Sequence, residues 1–156
     1  MRRKRTTTSG AGRITDTLHF SIMNNAGSEA ARGDILLFLN DDVEPLRPDW
    51  LNILVEDCSR PGIGVVGAQL LYPSGTIQHA GIALGLADGC GHVGRGLCRS
   101  SYWPWLDMTR DVSAVTGARL AIPAGIFRGF GGFRDIFPIN LDPAVQSSAI
   151  LMWDML

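Results

Sequence analysis

The sequence predicts an α/β fold, a mixed sheet flanked by helices, and three observations carry that prediction. Ile35 to Leu39 is a continuous apolar run, ILLFL, that stops abruptly at Asn40, Asp41 and Asp42. That is the pattern of a strand buried on both faces that delivers polar groups at its carboxyl end. Segments with apolar residues at three- and four-residue steps lie before and after it, the spacing of amphipathic helices. Further along, strand-like stretches return between Gly- and Pro-rich turns. The resulting order is helix, strand, helix, strand, hairpin, strand, helix, with no internal repeat.

Taken in order, Leu18 to Arg32 places Phe20, Met23, Ala26 or Gly27, and Ala30 on one helical face, with Ser21 available as a cap and Gly33 as the stop. The strand Ile35 to Leu39 follows at once. Pro48 and Asp49 open a second helix, Pro being tolerated in a first turn and Asp suiting the positive end of the helix dipole. Its apolar face is Trp50, Leu51, Leu54, Val55 and Cys58, and Pro61-Gly62 ends it. Ile63 to Leu71 reads as one strand. The turn Pro73-Ser74-Gly75-Thr76 and the strand-like IQHAGIALG after it read as a hairpin. Ala87 to Met108 is a loop rich in Gly and aromatic residues. Val112 to Ile122 returns to strand character, Pro123 starts a short helical turn to Phe130, and Gly131-Gly132 breaks it.

The 156 residues suffice for about one domain. A hydrophobic share of 46% and a formal net charge of -1 fit a globular chain and give no reason to expect a polyanionic partner. The 19 glycines exceed the roughly 7% average share, so tight turns and close backbone approaches are expected. Three cysteines with no CxxC pair disfavour a zinc knuckle or a disulfide scaffold and favour a reducing compartment. No apolar run reaches the roughly 18 residues of a membrane span. The first thirteen residues hold five basic side chains and no acid, and no apolar segment follows to make a signal peptide. Residues 1–17 are expected to be a disordered basic tail; nucleic-acid binding through Arg2, Arg3, Lys4 and Arg5 is the lesser alternative.

The chemistry concentrates at Asn40-Asp41-Asp42. In open α/β sheets ligands collect beyond the carboxyl ends of the strands, where side chains meet substrate while the strand holds their geometry. Two carboxylates and an amide suit a hard cation such as Mg²⁺ or Mn²⁺. Taken alone, such a triplet is more often a solvated turn with an Asx cap.

Read together, NNAGSEAARGDILLFLNDDVEPLRPDWL, GVVGAQLLYPSGTIQHAGIALG, DVSAVTGARLAI and GGF resemble the family 2 glycosyltransferases over about residues 18 to 141. The resemblance implies a partial GT-A fold. It also implies transfer of a sugar, with inversion, from a nucleotide-diphosphate donor to an acceptor hydroxyl on a carbohydrate or lipid-linked acceptor, as in cell-envelope polysaccharide synthesis. By this likeness Asp42 is the metal ligand of a DxD-like motif and takes Mn²⁺ or Mg²⁺, while Asn40 stands where many relatives carry the first acid. Asp41 is placed toward the sugar or ribose. Thr116-Gly117-Ala118 resembles the segment that approaches donor and acceptor. His79, in Gln78-His79-Ala80-Gly81, either lines the site or is a hydrogen-bonded histidine of the sheet. His92 is a loop residue or a ligand, and Trp103 and Trp105 either stack on a sugar or serve the core.

The chain also departs from the pattern. The strand and βα units that hold the nucleotide base in relatives have no counterpart, so the edge of the Ile35 to Leu39 strand is expected to be open. After Gly131-Gly132-Phe133, Arg134 replaces the usual acid, and residues 142–156 diverge, as a truncated or frame-shifted reading frame would. Asp142 is the remaining candidate for the general base that deprotonates the acceptor. The expectation is a cytoplasmic protein, at most peripheral at the inner face of a membrane, weakly active or inactive alone. The competing expectation is a non-catalytic interaction module or carbohydrate-binding remnant that pairs with a partner chain or a second copy through the open edge.

Overall fold

A computed structural model describes residues 20–85, 90–98 and 104–134. The elements run α1 (Phe20–Ala30), β1 (Ile35–Leu39), α2 (Trp50–Cys58), β2 (Val66–Gly67), β3 (Leu70–Leu71), β4 (Ile77–His79), β5 (Ile82–Leu84), β6 (Cys90–His92), a 3-10 turn (Pro104–Asp107), β7 (Arg119–Pro123) and α3 (Ala124–Gly129). The expected α/β architecture is present. Its centre is a three-stranded sheet in the order β1-β7-β2. β7 is antiparallel to both neighbours, Leu37 facing Ala121 and Val66 facing the same residue from the other side. β1 and β2 therefore run in the same direction with β7 reversed between them.

β1 is covered on both faces, as its apolar run requires. Leu36 and Phe38 join Leu120, Ile122, Phe127 and Phe133 in one core, against which Phe20 of α1 packs. Ile35 and Leu37 turn the other way, toward Ala121 and the α2 residues Leu54, Cys58 and Trp50. The alternation follows from the two-residue period of a strand. The first core is strongly aromatic: Phe38, Phe127 and Phe133 have ring centroids 4.9–5.0 Å apart in tilted or edge-on contacts. Asn25 closes this layer, donating to the Phe133 carbonyl at 2.8 Å and accepting the Phe133 N–H at 2.9 Å. Arg128 of α3 donates to the Ala31 carbonyl at 3.0 Å, just past the end of α1, where backbone acceptors lack helical partners.

Several local expectations are corrected. α1 begins at Phe20, so Ser21 lies inside its first turn, 4% exposed, rather than capping it. Asp49 stands at the N-cap of α2, at the positive end of the helix dipole as expected; it makes no side-chain capping bond, and its carboxylate meets Arg47 at 2.8 and 3.0 Å. Ile63 to Leu71 is not one strand: Val66–Gly67 joins the central sheet and Leu70–Leu71 pairs with β4. Gln69, between them, donates to the Leu106 carbonyl at 3.1 Å and thus turns to the 3-10 segment. The hairpin is present, but IQHAGIALG is cut into β4 and β5 at Gly81, whose φ of 95° favours glycine. The stretch Val112 to Ile122 is strand only from Arg119 on, apart from an isolated bridge at Ala114. Within the expected loop Ala87 to Met108, Cys90–His92 forms β6 against β5. Among the described strands β1 has one neighbour, β7, and stands at an edge of its sheet. No helix among the described residues is long and apolar enough to cross a membrane.

Candidate functional site

The site is assembled at the end of β1 by one backbone contact. Asn40 N–H donates to the Ala118 carbonyl at 2.9 Å, extending the β1–β7 ladder one step past Leu39. The acidic triplet is therefore set beside Thr116-Gly117-Ala118, a segment far from it in sequence. Asn40, Asp41 and Asp42 are exposed, as groups that meet a ligand must be. Asn40, Asp42, His79 and Ala118 line one broad groove, together with Trp50 of α2 and Arg119 of β7; Asp41, Thr116 and Gly117 are outside that lining. Gly117 has a packing reason of its own, since a Cβ there would lie 2.8 Å from Cζ of Phe20. The Thr116 hydroxyl accepts the Ala118 N–H at 3.3 Å, which fixes the turn just before β7.

His79 supports this segment from beneath. It is 2% exposed, and its Nε2 accepts the N–H groups of Gly81 at 3.2 Å and Thr116 at 3.3 Å. An imidazole nitrogen that accepts carries no proton, so the proton of neutral His79 belongs on Nδ1. Nδ1 lies 2.8 Å from Nδ1 of His92 and donates to it. His92 is thus a strand residue of β6 and a hydrogen-bond partner of His79. Burial, the neighbouring His92 and then Arg110 push the His79 pKa down from 6.5 to about 4. Burial and, after it, Arg95 lower His92 as well. His79 is thus a hydrogen-bonded histidine that also lines the groove, and its bond to the Thr116 N–H makes it a support for that segment. Nothing in the local sequence of His92 announced this contact, which spans thirteen positions and a change of strand.

Arg110 braces the same corner. Its guanidinium donates to the Ala80 carbonyl and to the Trp105 carbonyl at 3.0 Å, and its carbon lies 4.7 Å from the Trp105 ring centroid. Trp105 is 41% exposed and receives this cation on a face. Trp103 and Asp142 lie outside the described residues.

Among the described residues no cluster of three or more His, Cys, Asp or Glu could hold a metal ion. Asn40, Asp41 and Asp42 supply two carboxylates and an amide from one turn. These are oxygen donors of the kind that hard cations take, and they do not form a closed protein cage.

Two curated relatives match most of the chain. Over 119 residues, 75% of the chain, it is 43% identical to an uncharacterized protein, y4gI, of Sinorhizobium fredii (strain NBRC 101917 / NGR234), covering 13% of that protein. Over 124 residues, 78% of the chain, it is 36% identical to the O-antigen biosynthesis protein RfbC of Myxococcus xanthus, covering 10% of it. No family model and no solved structure matches the chain. The chain therefore corresponds to about a tenth of the length of the curated relatives it matches.

Proposed function

We propose that the described residues form the donor side of a glycosyltransferase site, which binds a nucleotide-diphosphate sugar with a divalent cation for transfer to an acceptor hydroxyl in envelope polysaccharide synthesis. The observation that carries this reading is the Asn40–Ala118 backbone bond, which seats an acidic strand end against Thr116-Gly117-Ala118 beside a groove lined by Asn40, Asp42 and Ala118. The similarity to an O-antigen biosynthesis protein points to the same class of chemistry. In this reading Asp42 holds the cation, and Asn40 and Asp41 face the donor. The cation neutralises charge that develops on the leaving diphosphate as the bond to the sugar breaks. Thr116 is held in place by His79 and borders the sugar. Asp142 is the proposed base.

The test is metal-dependent binding and turnover. With Mn²⁺ and a panel of nucleotide sugars, calorimetry should show binding that chelation removes, and any released nucleoside diphosphate should vanish in Asp42→Ala. Because Asp42 is exposed, that variant should keep the wild-type stability to within about 0.5 kcal/mol. A wild-type chain that neither binds nor hydrolyses any member of the panel with metal present refutes the reading.

One observation favours a second reading, a module that pairs through its sheet. β1 has a strand neighbour on one side only among the described residues, and an unpaired edge is a template for another strand. Light scattering tests it: a strictly monomeric chain at high concentration contradicts pairing between copies.

A further inference from the structure

Arg119 opens β7 one residue after Ala118 and stands opposite Leu39 in register. The alternation of the strand turns it, like Ala121, toward α2, and its guanidinium carbon lies 4.4 Å from the centroid of the Trp50 ring. The residue is only 9% exposed. Its Nε is buried and has no hydrogen-bond partner. The two ion pairs among the described residues, Arg47 with Asp49 and Arg60 with Asp57, do not involve it. A ring face offsets part of the lost hydration of a cation, but it offers no directional acceptor to a guanidinium with five N–H donors. Burying such a charge without an acceptor is unfavourable, and an arginine does not escape the penalty by losing its proton. Arg119 lines the same groove as Trp50, Asn40 and Asp42, so an acceptor can reach it from solvent.

We propose that Arg119 is an anion-binding residue of the groove, its planar fork taking the oxygens of a phosphate group. Guanidinium and phosphate match in a two-bond geometry, and the charge-assisted bonds are stronger than neutral ones. The anion site rests on Arg119 itself; the choice of a phosphate compound rests on the donor reading above, in which the ligand is the diphosphate. Arg119 then contributes positive charge on the β7 side of the groove while Asp42, in the turn after β1, holds the cation. With a cation present both act on one polyanion; without it Arg119 is the groove's own anion contact.

The experiment titrates inorganic pyrophosphate into the full chain with chelator present, so that no metal bridges the anion to Asp42. Wild type is expected to bind. Arg119→Met, similar in length and uncharged, should bind roughly ten- to hundredfold more weakly, the worth of hydrogen bonds to a charged group. Its melting temperature should be unchanged or raised, because an unpaired buried charge has been removed. Arg47→Met, at an exposed ion-paired arginine of the same groove, should bind as wild type does. In wild type, the Arg119 Nε–H resonance, identified by its loss in Arg119→Lys, should shift and exchange more slowly with pyrophosphate; this readout stands if the Met variant fails to fold. Equal binding by wild type and Arg119→Met, no binding by wild type, or an unmoved Nε–H resonance overturns the site. Acetate binding as tightly as pyrophosphate overturns the phosphate assignment. Pyrophosphate binding that depends on Arg119, in a chain that ignores every nucleotide sugar, removes the donor reading and leaves the anion site standing.

Discussion

Replacing His79 by Gln should flatten the acid side of the stability curve. His79 is buried against Gly81, Thr116 and His92, and its pKa is held at about 4 against 6.5 for an ordinary histidine. Protonating it would charge a buried ring and turn the Nε2 acceptor into a donor facing two N–H groups. The folded value lies below the unfolded one, so the unfolded chain takes up the proton first as pH falls. The contribution is therefore fully present above about pH 6.5 and is lost progressively down to about pH 4. Two-state linkage with these values gives a loss of about 1.4 kcal/mol at pH 5.5 and about 2.5 kcal/mol at pH 4.5 relative to pH 8. Carboxylates titrate over part of this range, so the quantity to measure is the difference between wild type and His79→Gln. His92 titrates in both proteins, its lowering coming from burial and Arg95, which the substitution leaves in place. Urea unfolding followed by tryptophan fluorescence at pH 8, 5.5 and 4.5 supplies the two curves. Parallel curves, or a His79 imidazole that titrates near 6.5 by NMR in the folded chain, would refute the reasoning.

Two further outcomes follow from the packing. Phe127→Ala removes a 1% exposed ring that touches Phe38 and Phe133, and should lower stability by about 3–5 kcal/mol in urea unfolding, enough to leave little folded chain. Asn25→Ala deletes both hydrogen bonds to Phe133 and leaves partly buried backbone groups without partners; it should cost about 1–3 kcal/mol and raise amide exchange in α1 ahead of β1.

The parts of the structure legible in the sequence are those set by local pattern. Ile35 to Leu39 is a strand because five apolar residues in a row can be buried on both faces and are too few for a helix of useful length, and the polar triplet marks its end. Pro123 and the Gly131-Gly132 pair bracket α3 as read, the two glycines having φ of 77° and 78°. The divisions within longer apolar stretches were not legible. Hydrophobicity in Ile63 to Leu71 reports that the segment is buried, whereas its break is set by distant partners. Gly67 must lack a side chain because a Cβ would lie 2.5 Å from Val115, and Gln69 must reach Leu106. The candidate site shows the same boundary. The Asn40-Asp41-Asp42 triplet could be singled out by composition, but its neighbour at Ala118 is a backbone carbonyl, invisible in any sequence. Arg119 reads as one more residue in a strand, and only the geometry reveals a cation set against Trp50 with no counter-charge.

The Asn25–Phe133 clasp has a consequence for the order in which the molecule is completed. One side-chain amide supplies a donor and an acceptor to the same residue 108 positions later, the pairing a neighbouring strand would offer. During synthesis α1 emerges before Phe133, and the contact that ties it to the chain beyond α3 becomes available only when Phe133 has left the ribosome. Closing so long a loop is entropically unfavourable and belongs to the last stage of assembly. Until then α1, which is shorter than an isolated helix needs to be stable in water, is held by the packing of Phe20 and by the Arg128 bond to Ala31 alone of the contacts described. The first described element of the chain is thus among the last to be locked.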